Sequence, residues 1–317
     1  MKKDTGKKAI VTGGAGFIGS HIVDALVERD FTVHVIDNLS GGKRENVNAS
    51  ATLHEIDMCD ADALDKAFAE IAASTEKNGT AGEIAALFHL AALPQVQYSI
   101  DHPDETHRVN VGGMINVLMS AAKHGVKKIV YSSSTAIYGD QEISPIHEEL
   151  TARPKSPYAL QKYEGELLCR LWSELYNVPS VSLRYFNAYG PRQSAAGAYP
   201  SAIMKFLELK RDGKPITIVG TGKQTRDFVS VHDIVRANML AMDNAKVNDG
   251  DVFNIGTGVA ISVNELAALI GGPVEYIAPR VEIEHSLADF SKARRVLGWE
   301  PQISFEKGIQ ELKEMYA

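Results

Sequence analysis

The stretch KKAIVTGGAGFIGSHIVDALVERDFTVHVID, Lys7 to Asp37, decides the fold. Its first apolar run reads as a buried strand. The next segment carries apolar residues at helical spacing, and FTVHVID reads as a second strand. Between the first strand and the helix, Gly13, Gly16 and Gly19 recur at three-residue intervals. A dinucleotide site needs glycine there for the tight turn, for close backbone approach to a pyrophosphate, and for helix–strand packing. The helix N-terminus then presents unpaired N–H groups to the phosphates. Asp37, closing the second strand, is placed to accept from ribose hydroxyls and to repel a 2′-phosphate, which favours NAD over NADP. A glycine-rich turn with a solvated aspartate is the plain alternative. The order strand, glycine loop, helix, strand and carboxylate outweighs it.

The same alternation continues outward. ATLHEID is a third strand, and DADALDKAFAEIAA is a helix with Asp60 as its cap. IAALFHLAA, KKIVYSSS and PSVSLRYFN are further strands. They are separated by a long helix that ends at Gly125 and by one that opens on Ser156 and Pro157. Strands and helices in this order imply right-handed crossovers and an α/β, Rossmann-type, doubly wound parallel sheet. After Asn187 the pattern loosens into short strands over 215–233, a capping box from Ser262 to Glu265, and two short helices in the tail. The expectation is an NAD-binding domain over residues 1–187. A smaller α/β substrate-binding region follows over 188–317, with some chain returning to the first.

Composition narrows the class. Among 317 residues, 44% are hydrophobic and 23% charged, an ordinary globular balance. A net charge of -7 offers no basic surplus for nucleic acid. No apolar run approaches the ~18 residues of a membrane span. MKKDTGKK leads into a strand without a signal-peptide core, so a cytoplasmic protein is expected. Cys59 and Cys169 cannot make a disulfide framework, and the ten histidines show no metal-type spacing, so no metal is expected.

Two features carry chemistry. The strand ending in YSSSTAIYGD, Tyr131 to Asp140, finishes in four hydroxyl residues. On the next helix Tyr158 and Lys162 lie four apart, on one face. A cation beside a phenol favours the phenolate, so Lys162 is expected to lower the Tyr158 pKa toward working pH.

Together TGGAGFIG, HLAA, YSSSTAIYG, YALQK and LRYFNAYGPR resemble the extended short-chain dehydrogenase/reductase superfamily, and within it the UDP-sugar 4-epimerases of the NAD-dependent epimerase/dehydratase family. The likeness runs from about residue 8 to 303, with the motifs in the family's order. It implies catalysis by Ser134, Tyr158 and Lys162. It implies a cofactor site of Gly13, Gly16, Phe17, Ile18, Gly19, Asp37, Asn38, Ser40, Asp57, Met58, Leu90, Ala91, Ala92, Asn110 and Tyr185, joined by Tyr158 and Lys162. It implies that Asn187, Gln193, Tyr199, Ser201, Arg226, Arg280, Glu282 and Ser286 line the UDP-sugar site with Ser134 and Thr135. Arg226 would grip the diphosphate. The segment with Arg280 and Glu282 is one residue shorter than the family's pattern. A small Ser286 leaves room for an N-acetyl group, whereas Pro94 stands where N-acetyl-accepting enzymes tend to have glycine. Glucose and N-acetylglucosamine forms therefore both stay open. The resemblance also implies a homodimer, through the helices at 104–124 and 157–176.

Rival readings are a 4,6-dehydratase, a decarboxylase or reductase of the same superfamily, and a non-catalytic NAD-binding sensor. Dehydratases and decarboxylases of this kind carry an acid or base at the positions of Thr135 and Ala136, where neither residue can move a C5 proton.

Overall fold

The apolar runs of the first part become strands β1 (Lys8–Thr12), β2 (Thr32–Asp37), β3 (Thr52–Glu55), β4 (Ile84–His89), β5 (Ile129–Ser134) and β6 (Ser180–Tyr185). The second part adds β7 (Asn187–Tyr189), β8 (Ile216–Val219), β9 (Thr225–Arg226), β10 (Phe228–Ser230), β11 (Asp249–Ile255), β12 (Ile261–Ser262) and β13 (Val274–Ile277). These elements come from a computed structural model that describes residues 4, 6–75, 82–194, 201–279 and 284–316. One parallel sheet runs in the order β11-β6-β5-β4-β1-β2-β3. The chain steps from β1 to β2 and β3 on one side, then crosses back to β4, β5 and β6 on the other. Beyond the carboxyl ends of β1 and β4 this reversal opens a crevice, the usual ligand position of an open α/β sheet.

The helices are α1 (Phe17–Glu28), α2 (Ala61–Ala73), α3 (Val96–Asp101), α4 (Pro103–His107), α5 (Met114–Lys123), α6 (Pro157–Tyr176), α7 (Ala202–Arg211), α8 (Val231–Asp243), α9 (Val263–Ile270), α10 (Ser291–Leu297) and α11 (Phe305–Met315). On one face of the sheet, Ile22 and Leu26 of α1 and Ile234 and Ala237 of α8 share a core with Val33 and Val35. Leu64 and Phe68 of α2, Leu118 of α5 and Trp172 of α6 close the other face. Each large side chain so buried contributes about 1.5–3 kcal/mol. A third core joins Met204, Phe206, Leu266, Phe305 and Leu312. Among the described residues no helix is long and apolar enough to cross a membrane.

Three local outcomes differ from the sequence pattern. The short strands of 215–233 give way at Val231 to α8, because Ser230 caps a helix whose apolar face fits α1. The long helix over 104–124 contains a wider, π-type turn at Arg108–Gly113. There Gly113 lies so close to Met58 that a Cβ would stand 2.7 Å from its Cγ. Finally, β11 returns to the first sheet as its edge strand, beside β6. The remaining short strands pair in twos, β7 with β10, β9 with β12 and β8 with β13.

Candidate active site

The glycine loop leaves room that no side chain could share. Gly13 sits at φ 72, and a Cβ there would lie 2.7 Å from the Ala91 nitrogen. At Gly19 a Cβ would lie 2.1 Å from the Gly13 carbonyl oxygen. Gly16 is the N-cap of α1, which has no side-chain cap and no acidic residue in its first turn. The leading amides around Phe17 and Ile18 are therefore the unopposed positive end of the helix. Asp37 is buried, and each of its carboxylate oxygens is fixed by the backbone. The Ala15 N–H donates to Oδ2 at 3.0 Å and the Leu39 N–H to Oδ1 at 2.8 Å. A carboxylate has about four acceptor sites, so two remain for hydroxyl donors. Asn38 is a local brace, accepting from the Ser40 N–H at 3.1 Å. A backbone-lined cradle, a free helix N-terminus and an oriented carboxylate fit a dinucleotide.

The neighbouring loops are tied down by side chains. Asp57 accepts from the Cys59 N–H at 2.9 Å, and Met58 is buried against the Gly113 turn. Leu90, Ala91 and Ala92 follow β4, where the Leu90 N–H donates to the Thr12 carbonyl at 3.1 Å. His89 ends β4, and its Nδ1 meets the Thr12 hydroxyl at 2.7 Å. Asn110 clamps the loop. Its Oδ1 accepts from the Leu93 N–H at 2.7 Å, and its amide donates to the Leu93 carbonyl and to Gln161 at 3.1 and 2.8 Å.

Strand β5 delivers the hydroxyl run to the same edge. Ser134 ends the strand and caps a short helical turn, Thr135–Tyr138, accepting from the Ala136 N–H at 3.1 Å. The Tyr158 phenol arrives from the first turn of α6, where the Ser134 hydroxyl acts to lower its pKa. The register sets Tyr185 of β6 beside Ser134. The Tyr185 phenol exchanges hydrogen bonds with the Asn238 side chain at 3.1 and 2.8 Å.

Lys162, one turn after Tyr158, donates to the Ser132 carbonyl at 2.7 Å, and its Nζ stands 5.9 Å from the Tyr158 ring centre. The expected lowering of the Tyr158 pKa is not what this arrangement produces. Burial pushes the phenol up to about 12, with the Ser134 hydroxyl pulling the other way, while the Lys162 ammonium is spent on a carbonyl. Burial in turn brings Lys162 down to about 8.

The second region offers fewer anchored groups. Asn187 opens β7, its amide donating to the Asp227 carbonyl at 3.0 Å. Arg226 on β9 donates to the Thr225 carbonyl at 2.9 Å. Ser286 is buried beside it, with its N–H on the Thr225 carbonyl at 3.2 Å, so these two predicted residues are brought together. Gln193 instead turns back to the Ala188 carbonyl at 3.1 Å, and Ser201 caps α7. Tyr199, Arg280 and Glu282 lie outside the described residues.

Several polar residues were not singled out by the sequence pattern. Asp227 accepts from the Thr257 and Gly258 amides at 2.7 and 2.8 Å, from the Thr257 hydroxyl at 2.7 Å and from the Ala288 N–H at 3.1 Å. It thereby organises the backbone next to Arg226. Asn238 holds Tyr185. Glu166 and Arg184 form a buried pair behind Ser133. Glu166 was within reach of sequence reasoning, since it repeats the four-residue step of Tyr158 and Lys162.

The chain is similar to known proteins along most of its length. The model of the NAD dependent epimerase/dehydratase family covers residues 9–256. A putative UDP-glucose 4-epimerase of Methanocaldococcus jannaschii is 38% identical over 95% of both chains. The crystal structure of a Thermotoga maritima UDP-glucose 4-epimerase with UDP-glucose superimposes with a TM-score of 0.89 at 38% identity, covering 98% of both chains. A Methanobrevibacter ruminantium UDP-N-acetylglucosamine 4-epimerase, in complex with UDP-N-acetylmuramic acid, gives a TM-score of 0.89 at 35% identity over 100% of this chain and 99% of its own. With a glycine cradle, an oriented Asp37 and a Ser134–Tyr158 pair at the switch point of its sheet, the chain belongs to the NAD dependent epimerase/dehydratase family.

Proposed function

We propose that the chain is an NAD-dependent 4-epimerase of a UDP-hexose. The observation that carries this reading is the end of β5. Ser134 meets the Tyr158 phenol there, and the next two side chains, Thr135 and Ala136, hold no acid or base. A dehydratase or decarboxylase needs such a group for C5 or the leaving hydroxyl.

When bound, NAD supplies an acceptor for the hydrogen on C4 and a positive ring beside the phenol. Tyr158 takes the 4-OH proton, and Ser134, on the neighbouring strand end, relays at the same oxygen. Burial pushes the Tyr158 phenol up to about 12, so added positive charge beside it would favour the phenolate. Lys162 orients the strand end through the Ser132 carbonyl. The 4-keto sugar would turn while Arg226 and Asn187 hold the nucleotide end; the hydride taken from C4 would then be given back to the opposite face of C4 as Tyr158 returns the proton to O4. Residues 1–187 would thus carry the cofactor, and 188–317 mainly the nucleotide sugar.

Two finer readings follow. The small, buried Ser286 favours acceptance of an N-acetyl group at C2. Met119 on α5 and Leu167, Leu171 and Leu175 on α6 are exposed and apolar, which supports a homodimer through these two helices. The test is incubation with UDP-glucose, UDP-N-acetylglucosamine and UDP-glucuronate, without added cofactor, followed by proton NMR. C4 epimers are expected. A 4-keto-6-deoxy sugar, or loss of carbon dioxide, would overturn the reading.

A further inference from the structure

Directly behind the hydroxyl run lies a polar network that the chemistry above does not use. Tyr158, Lys162 and Glu166 follow one another at four-residue steps on α6, so they share the helix face that packs on β5. Arg184 of β6 grips Glu166 twice, Nε to Oε1 at 2.8 Å and Nη2 to Oε2 at 2.7 Å. The Ser133 hydroxyl donates to the same Oε1 at 2.5 Å. Both charged side chains are buried, 4% and 6% exposed. Arg184 also donates to the Tyr138 phenol at 2.7 Å, and that phenol donates to Asn254 of β11 at 2.7 Å.

An ion pair this deep gives little net stability, because desolvation offsets the attraction. Its location gives it a different use. Ser133 lies between Ser132, whose carbonyl takes the Lys162 ammonium, and Ser134, which meets Tyr158. The groups facing Lys162 are His89 of β4, Tyr131 of β5, and Tyr158, Glu166 and Cys169 of α6. Burial holds Tyr131, Tyr158 and Cys169 protonated and keeps His89 neutral, down to about 3. Glu166 is the carboxylate in that circle, and Arg184 clasps it.

We propose that Glu166 is a positioning residue for the reaction: clasped by Arg184, it is the fixed counter-charge of the Lys162 ammonium and, through Ser133, the brace of the strand end that carries Ser134. The kinetic part rests on the 4-epimerase reading. The counter-charge part does not.

The test uses the NAD-containing holoenzyme. Carbon-13 lysine NMR, assigned with Lys162→Met, follows the Lys162 titration without substrate, and kcat and KM are measured against pH. In Glu166→Gln, which keeps an acceptor for Ser133, the Lys162 midpoint moves down by about one pH unit. The basic limb of kcat moves with it, so kcat above pH 8 falls about tenfold while KM is unchanged. Glu166→Asp, which keeps the charge, restores most of both. If Glu166→Gln does not fold because Arg184 is orphaned, Glu166→Gln/Arg184→Met decides, with a smaller shift of the same sign. An unchanged Lys162 midpoint in whichever variant folds overturns the proposal and leaves a purely structural pair. A shifted midpoint in a protein whose wild type turns over no UDP-sugar instead sinks the 4-epimerase reading and leaves the counter-charge standing.

Discussion

Gly13, Asp37, Ser134, Tyr158 and Lys162 hang on the carboxyl ends of long parallel strands and on one 20-residue helix. Asn187 and Arg226 hang on strands of three and two residues. On the proposed cofactor side, position is fixed by sheet register, close backbone contact and buried polar clamps such as Asn110. On the proposed substrate side it is fixed by carboxylates that gather loops, Asp227 above all. The difference suits the proposed chemistry. A cofactor that stays in place needs a rigid cradle, whereas a keto sugar that turns must be held only by its nucleotide end.

Changes on the two sides should therefore fail differently. The largest effect is expected at the chemical step itself. Tyr158→Phe removes the proton carrier and should lower kcat at least 10³-fold with NAD still bound, as read by steady-state kinetics and cofactor content. Within the cradle, Gly19→Ala drives a Cβ into the Gly13 carbonyl. It should strip NAD from the purified protein and lower stability by about 1–3 kcal/mol, seen by chromatography of the denatured extract and by thermal melts. Arg226→Leu should instead retain NAD and raise KM about 10- to 100-fold with little change in kcat. Loss of NAD from that variant would break the division between the two sides.

Acid should act on the cofactor side too. Burial lowers His34 to about 4 and His89 to about 3, from the ordinary 6.5. Folding therefore favours the neutral rings, so their contribution is complete above pH 6.5. It is lost as pH falls through that value toward 4, because the unfolded chain binds the extra protons. By pH 5 each histidine removes about 2 kcal/mol. Melts at pH 7 and pH 5 should show the loss, and His34→Leu should reduce the difference.

Much of this was legible in the sequence because local chemistry dictated it. Glycine at 13, 16 and 19, a carboxylate at 37, and Tyr158 with Lys162 on one helix face each announce themselves by spacing. What escaped depended on distant partners. Asp227 is recognisable only once residues 257, 258 and 288 surround it, and Glu166 only once Arg184 and Ser133 arrive. The half-polar run DGDVFNI becomes β11 because β6 offers it an edge. The direction of the Tyr158 shift escaped for the same reason, since burial and the Ser132 carbonyl decide it rather than the YxxxK spacing.

The central claim is that the hydrogen removed from C4 returns to C4, so that no net oxidation occurs. UDP-glucose deuterated at C4, incubated with the protein in ordinary water, tests it most directly by NMR and mass spectrometry. Epimerisation at Ser134 and Tyr158 predicts UDP-galactose that keeps the deuterium at C4. Deuterium lost to solvent or found at C6, or a product that stays oxidised, would contradict it.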